Sequence, residues 1–202
     1  LALVGRPNVG KSTLLNALLG EDRALVSPMA GTTRDAIAAG WVWKGREFRL
    51  VDTAGLRRKS RIDDTLEKLA TAETLRVIRL AEIVVLVLDA NSALEQQDLT
   101  IADLVLREGR ALVIALNKWD TVKEPGKLLR EIEAKVTESL QQGRGMALVP
   151  ISALKGRKLE TLMDTVMRTH ALWDTRLSTG PLNRWLEAML ADIALGNRMP
   201  SQ

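Results

Sequence analysis

Gly5-Arg6-Pro7-Asn8-Val9-Gly10-Lys11-Ser12 is the stretch on which the reading of the fold turns. It has the form G-x-x-x-x-G-K-[ST]. The apolar run Leu1-Ala2-Leu3-Val4 precedes it, and leucines at helical spacing follow (Leu14, Leu15, Leu18, Leu19), with Gly20 as the stop. A strand that enters a glycine-rich turn and leaves it as a helix lets backbone N–H groups converge on phosphate oxygens at the positive end of that helix. Lys11 is then expected to reach the β- and γ-phosphates and Ser12 to offer its hydroxyl to Mg2+. Residues Gly5, Arg6, Pro7, Asn8, Val9, Gly10, Lys11, Ser12 and Thr13 are the expected contacts of a nucleoside triphosphate. The loop alone does not say which base that nucleotide carries.

Working outward, residues 21–36 lack periodicity and hold Pro28, Gly31 and the pair Thr32-Thr33, so they read as a loop. Ile37, Ala39, Trp41 and Trp43 then alternate, Lys44-Gly45 marks a turn, and Phe48 and Leu50 alternate again, which is a hairpin pattern. Beyond Asp52 the apolar runs become continuous, at 83–88, 111–116 and 147–151, as expected of parallel strands buried on both faces. Helical stretches separate or follow them at 65–80, 94–108, 125–142 and 158–173. The alternation predicts an α/β fold of the P-loop NTPase kind: a mostly parallel six-stranded sheet, one strand antiparallel at its edge, sandwiched by helices. Ser178-Thr179-Gly180-Pro181 reads as a linker or helix start, and residues 182–194 as a short amphipathic helix whose apolar face (Leu182, Trp185, Leu186, Met189, Leu190, Ile193) must pack on something.

Composition narrows the chemistry. The 202 residues are 46% hydrophobic and 27% charged, ordinary for a folded domain, and contain no cysteine, which excludes disulfides, zinc-thiolate sites and cysteine catalysis. With one histidine, His170, histidine-centred acid–base chemistry is not expected. The longest wholly apolar runs are six residues, far below the ~20 a membrane span needs, so no membrane partner and a cytoplasmic location are expected. Five Trp, one Phe and no Tyr are too few aromatics for a module that stacks single-stranded RNA. The net charge of +4 is a weak pointer to a polyanionic partner.

Two further motifs identify the nucleotide. Asp52-Thr53-Ala54-Gly55 ends the strand Phe48–Val51, where Asp52 can hold Mg2+ and Gly55 can offer its N–H to the γ-phosphate. Thr33, ahead of Thr32, is the candidate to contact Mg2+ and the γ-phosphate from the preceding loop. Asn117-Lys118-Trp119-Asp120 follows the strand 111–116. Its aspartate can accept from guanine N1–H and N2–H2, whereas adenine presents an acceptor and no amine. Lys118's stem can lie against the base and Asn117 can brace neighbouring loops. Ser152-Ala153-Leu154, after the last strand, can present a backbone N–H to guanine O6. These motifs occur in chain order, each at a strand end or in a connecting loop, which is where a doubly wound sheet binds its ligand. Together they read as a site for GTP or GDP with Mg2+.

These residues resemble the translation-factor-type small GTPases and, among them, the bacterial Der (EngA) family, in particular the second of its two tandem G domains. The more telling matches are Gly31-Thr32-Thr33-Arg34-Asp35, Asp52-Thr53-Ala54-Gly55-Leu56-Arg57-Arg58-Lys59, and Ser178-Thr179-Gly180 with Leu182-Asn183-Arg184-Trp185-Leu186. The resemblance implies a GTP-binding domain over 1–176, and over 177–202 a linker with the first helix of a truncated KH-like domain. It also implies a further G domain ahead of this one in the full-length chain, and GTP hydrolysis coupled to assembly of the large ribosomal subunit. Leu1 in place of Met and a first strand of four residues before Gly5 fit a piece of a longer chain. The tail 195–202 does not look like the family's continuation.

The resemblance makes Lys11, Thr33, Asp52 and Gly55 the catalytic set, and suggests that Asn8 helps hold a K+ ion that covers charge on the phosphates. Many GTPases place a Gln after Asp-x-x-Gly, but here Leu56 stands there and cannot orient water. No arginine finger is identifiable, so hydrolysis by the isolated chain should be slow. Arg57, Arg58, Lys59 and Arg61 form a basic run beside the γ-phosphate sensor. It reads either as a solvated face or as a nucleotide-gated contact with rRNA or the large subunit. Two other readings stay open: a GTP-occupancy-gated interaction module with incidental hydrolysis, and an ATP-dependent P-loop enzyme, which Asp120 disfavours.

Overall fold

The computed structural model describes residues 1–20, 27–28, 39–51, 66–140 and 145–196. Its strands are β1 (Ala2–Val4), β2 (Ser27–Pro28), β3 (Ala39–Trp43), β4 (Arg46–Leu50), β5 (Ile83–Asp89), β6 (Ala111–Asn117) and β7 (Ala147–Pro150). Its helices are α1 (Lys11–Leu19), α2 (Leu66–Leu80), α3 (Gln96–Arg107), α4 (Pro125–Ser139), α5 (Leu159–Trp173) and α6 (Thr179–Gly196).

The continuous apolar runs become β5 and β6 because both of their faces are covered. Ile83, Val85 and Val87, with Ala111, Val113 and Ala115, face a core shared with α1 and α5. Their alternates Val84, Leu86 and Leu88, with Leu112, Ile114 and Leu116, face a second core shared with α2, α3 and α4. A period of two thus divides each run between two hydrophobic layers. The parallel sheet has the order β1-β5-β6-β7. In it Asp89 pairs with Asn117 at the carboxyl end, the edge at which the candidate motifs leave the strands.

The strand count differs from the six expected. Ser27–Pro28, within the stretch read as loop, pairs antiparallel with β3 as an additional two-residue strand, so β2 and not β3 is outermost. Two residues carry too little pattern to be seen in sequence. The hairpin β3–β4 forms a three-stranded antiparallel sheet with β2, distinct from the four-stranded one. Two hydrogen bonds stitch the sheets: the Leu1 nitrogen donates to Arg49 O (2.8 Å) and Val51 N–H donates to Leu1 O (3.0 Å). That is the bonding pattern of a parallel pair centred on Leu1 and Leu50. The hairpin turn takes positive φ at Lys44 (46°) and Gly45 (78°), as a two-residue turn between twisted strands requires. Trp41 and Trp43 are buried in the core that also holds α1 and α5.

Helix α6 begins at Thr179, where Leu182 N–H donates to Ser178 O, so Ser178-Thr179-Gly180-Pro181 starts a helix longer than the sequence suggests. The apolar face expected to be packed is instead exposed: Leu182, Trp185, Leu186, Met189 and Leu190 are all solvent-facing. No helix among the described residues is long and apolar enough to cross a membrane.

Candidate functional site

The phosphate loop leaves β1 at Gly5 (φ 143°), passes through Asn8 (φ 63°) and enters α1 at Gly10 (φ 97°). A β-carbon at Gly5 would collide with the carbonyl of Val87 on β5, and one at Gly10 with Asn117 Nδ2. Both glycines are therefore required by sterics as well as by conformation. Val9 turns its side chain into the core and is buried, while Pro7 and Asn8 are exposed. Helix α1 has no side-chain cap and no acidic residue in its first turn. The positive end of the helix, which begins with Lys11, Ser12 and Thr13, thus has no acidic side chain of its own set against it, which suits an anion.

Lys11 folds back over this loop. Its Nζ donates to the carbonyls of Gly5 (2.8 Å) and Arg6 (2.7 Å). Burial lowers its pKa to about 8. An ammonium held by two carbonyls and partly withdrawn from water gains strongly from an approaching phosphate.

Arg6 is oriented elsewhere than the sequence suggests. Its guanidinium donates to Asp98 Oδ1 (2.8 Å), to Ser92 O (2.7 Å), to Ser92 Oγ (3.1 Å) and to the Glu95 carboxylate. Asp98 is fully buried, and its other oxygen accepts from Glu95 N–H (3.1 Å) in a reciprocal cap at the start of α3. Burial pushes the Asp98 carboxyl up, and Arg6 offsets only part of that. The Arg6 side chain therefore clamps the phosphate loop to α3 while its backbone stays in the loop.

At the end of β6, Asn117 is buried and joins two loops. Its Nδ2 donates to Val9 O (2.8 Å), and its Oδ1 accepts from Ala153 N–H (2.9 Å). Lys118 adopts φ 60° and donates to Asp89 Oδ2 (2.7 Å), so its stem is stretched along the site between the β6 and β5 ends. Partial burial raises the Asp89 carboxyl, but the bonds from Lys118 and Asn91 outweigh it and hold the group below its usual range. Trp119 donates its N–H to Ile151 O (3.0 Å) and its ring packs partly buried on the core shared with α2, α3 and α4.

Asp120 is largely buried and pairs with Lys155 Nζ at 3.2 Å. The Ser152 hydroxyl is the main cause that holds its carboxyl below the ordinary range, with Lys155 and the residue's own N–H adding to it against burial. Of the three amides in Ser152-Ala153-Leu154, that of Ser152 donates to Arg157 O (3.2 Å) and that of Ala153 to Asn117. Those two amides are thereby committed within the protein. Sequence reading missed Asp89, Asp98 and Lys155. Only Asp98 carried a local signal, since Glu95 and Asp98 have capping-box spacing.

Thr33, Asp52, Thr53, Ala54, Gly55 and Leu56, with the basic run Arg57, Arg58, Lys59 and Arg61, lie outside the described residues. Among the described residues no group of three or more acidic or histidine side chains is arranged to hold a metal. A groove of about 660 Å3 between the hairpin turn and α5, lined by Lys44, Arg46, Asp164 and Arg168 among others, holds none of the candidate residues.

Residues 1–118 match the family described as 50S ribosome-binding GTPase. The chain is 58% identical over 191 residues to GTPase Der of Mesorhizobium japonicum, covering 95% of this chain and 40% of that protein. It is 54% identical over the same length to GTPase Der of Brucella melitensis, again covering 40% of the relative. The chain therefore spans about 40% of the length of the curated relatives it matches. Among solved structures, Aquifex aeolicus Era bound to GDP·AlF4− is similar at 31% identity and a TM-score of 0.60, over 83% of this chain and 55% of that one. Era in complex with MgGDPNP and nucleotides 1506–1542 of 16S ribosomal RNA is similar at 30% identity and a TM-score of 0.60, with the same coverage.

Proposed function

The chain belongs to the 50S ribosome-binding GTPase family, and from that premise we propose that it is a guanine-nucleotide switch that hydrolyses GTP to GDP and phosphate during large ribosomal subunit assembly. The observation that carries the reading is the pair of hydrogen bonds made by Asn117, one donated to Val9 O in the phosphate loop and one accepted from Ala153 N–H in the loop read as the base loop. One buried side chain thereby fixes the distance between the place for phosphates and the place for a base.

The residues divide the work as follows. The uncapped start of α1 and the loop amides receive the phosphate oxygens, and Lys11 adds a positive charge whose proton is held more tightly once phosphate arrives. Asp120 accepts from the Watson–Crick edge of guanine, Lys118 lines the base, and the Leu154 amide meets O6. Mg2+, bound with the nucleotide, would neutralise charge on the phosphate oxygens, with Ser12, Thr33 and Asp52 as its holders. Asn8, exposed at positive φ on the loop, is the residue to hold K+ if the ion takes the place of an arginine finger. Asp52, Gly55 and Thr33 would sense the γ-phosphate, and Arg57, Arg58, Lys59 and Arg61 would meet rRNA phosphates when they do.

The same reading places the chain in the cytoplasm, where ribosomes assemble, next to a preceding G domain and a following KH-like domain that α6 begins. The test is single-turnover GTP hydrolysis with and without large ribosomal particles, in K+ and in Na+. Stimulation by the particles, greatest in K+, supports the proposal. Rates indifferent to particles and to the cation would overturn the switch and the K+ site respectively.

A further inference from the structure

Lys118 is held by three residues that lie outside the nucleotide motifs. Its Nζ donates to Asp89 Oδ2 (2.7 Å), and Asp89 Oδ1 accepts from Asn91 N–H (3.0 Å) and from Asn91 Nδ2 (3.2 Å). The same Nδ2 donates its other proton to Thr121 Oγ1 (2.8 Å), and the Thr121 hydroxyl donates to Lys118 O (2.7 Å). The bonds thus form a ring that returns to Lys118, and every donor in it meets an acceptor. Asp89 and Asn91 come from the end of β5 and the turn after it, Lys118 and Thr121 from the turn after β6.

What the ring holds is a conformation. Lys118 sits at φ 60° and ψ 28°, a left-handed backbone that a non-glycine residue keeps only where its surroundings impose it. Thr121 grips the Lys118 carbonyl twice, by its hydroxyl and by its N–H (3.0 Å), while Asp89 grips the far end of the side chain. Asp120 lies in the short turn Trp119–Thr121 between these grips. The ring adds little to stability, since the Lys118 side chain is 41% exposed and Asn91 and Thr121 are exposed as well. Its consequence is for binding: a lysine stem already extended gives up no rotamer freedom when a base comes to lie against it. We propose that Asp89, Asn91 and Thr121 are positioning residues of the base site, which act through Lys118 to set its stem and the turn that carries Asp120 before a nucleotide binds.

This inference rests on the guanine reading of Asp120, and the experiment separates the two. GDP, ADP and inorganic pyrophosphate are titrated calorimetrically with Mg2+ into the parent chain, Asp89→Asn, Thr121→Val, the double variant, Thr121→Ser and Asp120→Ala. Asp89→Asn and Thr121→Val are each expected to weaken GDP binding about two- to tenfold, the scale of one net hydrogen bond. Pyrophosphate, which reaches only the phosphate loop, is expected to bind the ring variants as it binds the parent. Thr121→Ser keeps the hydroxyl and is expected to keep the parental GDP affinity. The double variant is expected to lose less than the product of the two single losses, because both open one ring. GDP binding unchanged in either single variant, pyrophosphate weakened as much as GDP, a Thr121→Ser variant as weak as Thr121→Val, or losses that multiply would overturn the proposal while leaving the guanine site standing. A parent that does not separate GDP from ADP, or an Asp120→Ala variant that binds GDP as the parent does, would instead overturn the guanine reading itself.

Discussion

Gly10 and Asn117 are fitted to each other: any β-carbon at position 10 would collide with the amide nitrogen of Asn117. Gly10 carries φ 97°, which other residues adopt only with strain, and Asn117 uses that open space to reach Val9 O at 2.8 Å. Gly10→Ala is therefore expected to push the asparagine off the loop. The measurement is GDP affinity beside circular dichroism, with at least a tenfold loss of affinity in a folded protein as the result. Unchanged affinity would mean that the loop does not depend on this fit.

Asn117→Ala removes both bonds at once and leaves Val9 O and Ala153 N–H without their partner. Burial of such groups costs about 1–3 kcal/mol each where water cannot reach them, so urea unfolding is expected to show a loss of about 2–6 kcal/mol for the two. Loss of nucleotide binding should exceed what the stability change explains, because the phosphate and base loops are no longer in register.

Arg6 and Asp98 supply a second check. Arg6→Met leaves a fully buried carboxylate with only the Glu95 amide and is expected to cost about 1–3 kcal/mol in chemical denaturation. Adding Asp98→Asn, which keeps an acceptor for that amide without the charge, should recover part of the loss. A double variant as unstable as the sum of the singles would show that the pair is not coupled.

Lys11 predicts a pH dependence. Its pKa of about 8 in the free protein rises when phosphate negative charge arrives, so binding takes up a proton above pH 8 and none well below it. GDP affinity should be flat between pH 6.5 and about 7.5 and fall as pH passes 8, approaching tenfold per unit. The window is kept below the pH at which guanine's own N1–H ionises. Calorimetry in two buffers of different ionisation enthalpy reads the proton uptake directly, and its absence at pH 8.5 would contradict the geometry.

The strands and helices were legible where the pattern is long. The runs at 83–88 and 111–116 read as strands buried on both faces, and each feeds two cores. Ser27–Pro28 was illegible, because a two-residue strand exists only by pairing with β3. The phosphate loop and Asn117–Asp120 were legible because their chemistry is local and their spacing constrained. The partners of Arg6, Lys118 and Asp120 were not, since Asp98 at the start of α3, Asp89 at the end of β5 and Lys155 in the turn after β7 are distant in sequence and meet only because the order β1-β5-β6-β7 brings these segments to one edge. What the apolar face of α6 packs on was not legible either, because periodicity says that a face is apolar but not what covers it, and within this chain its described residues are exposed.

The central claim, that Asp120 makes this a guanine site joined by Asn117 to a phosphate loop, is tested most directly by competition. Fluorescently labelled GDP is bound to the chain with Mg2+ and displaced by GTP, GDP and ATP in turn. The account predicts displacement by GTP and GDP at comparable concentrations and at least a hundredfold weaker displacement by ATP, since adenine brings no donor to Asp120 and sets its own N1 acceptor against the carboxylate. Displacement by ATP as effective as by GTP would contradict it.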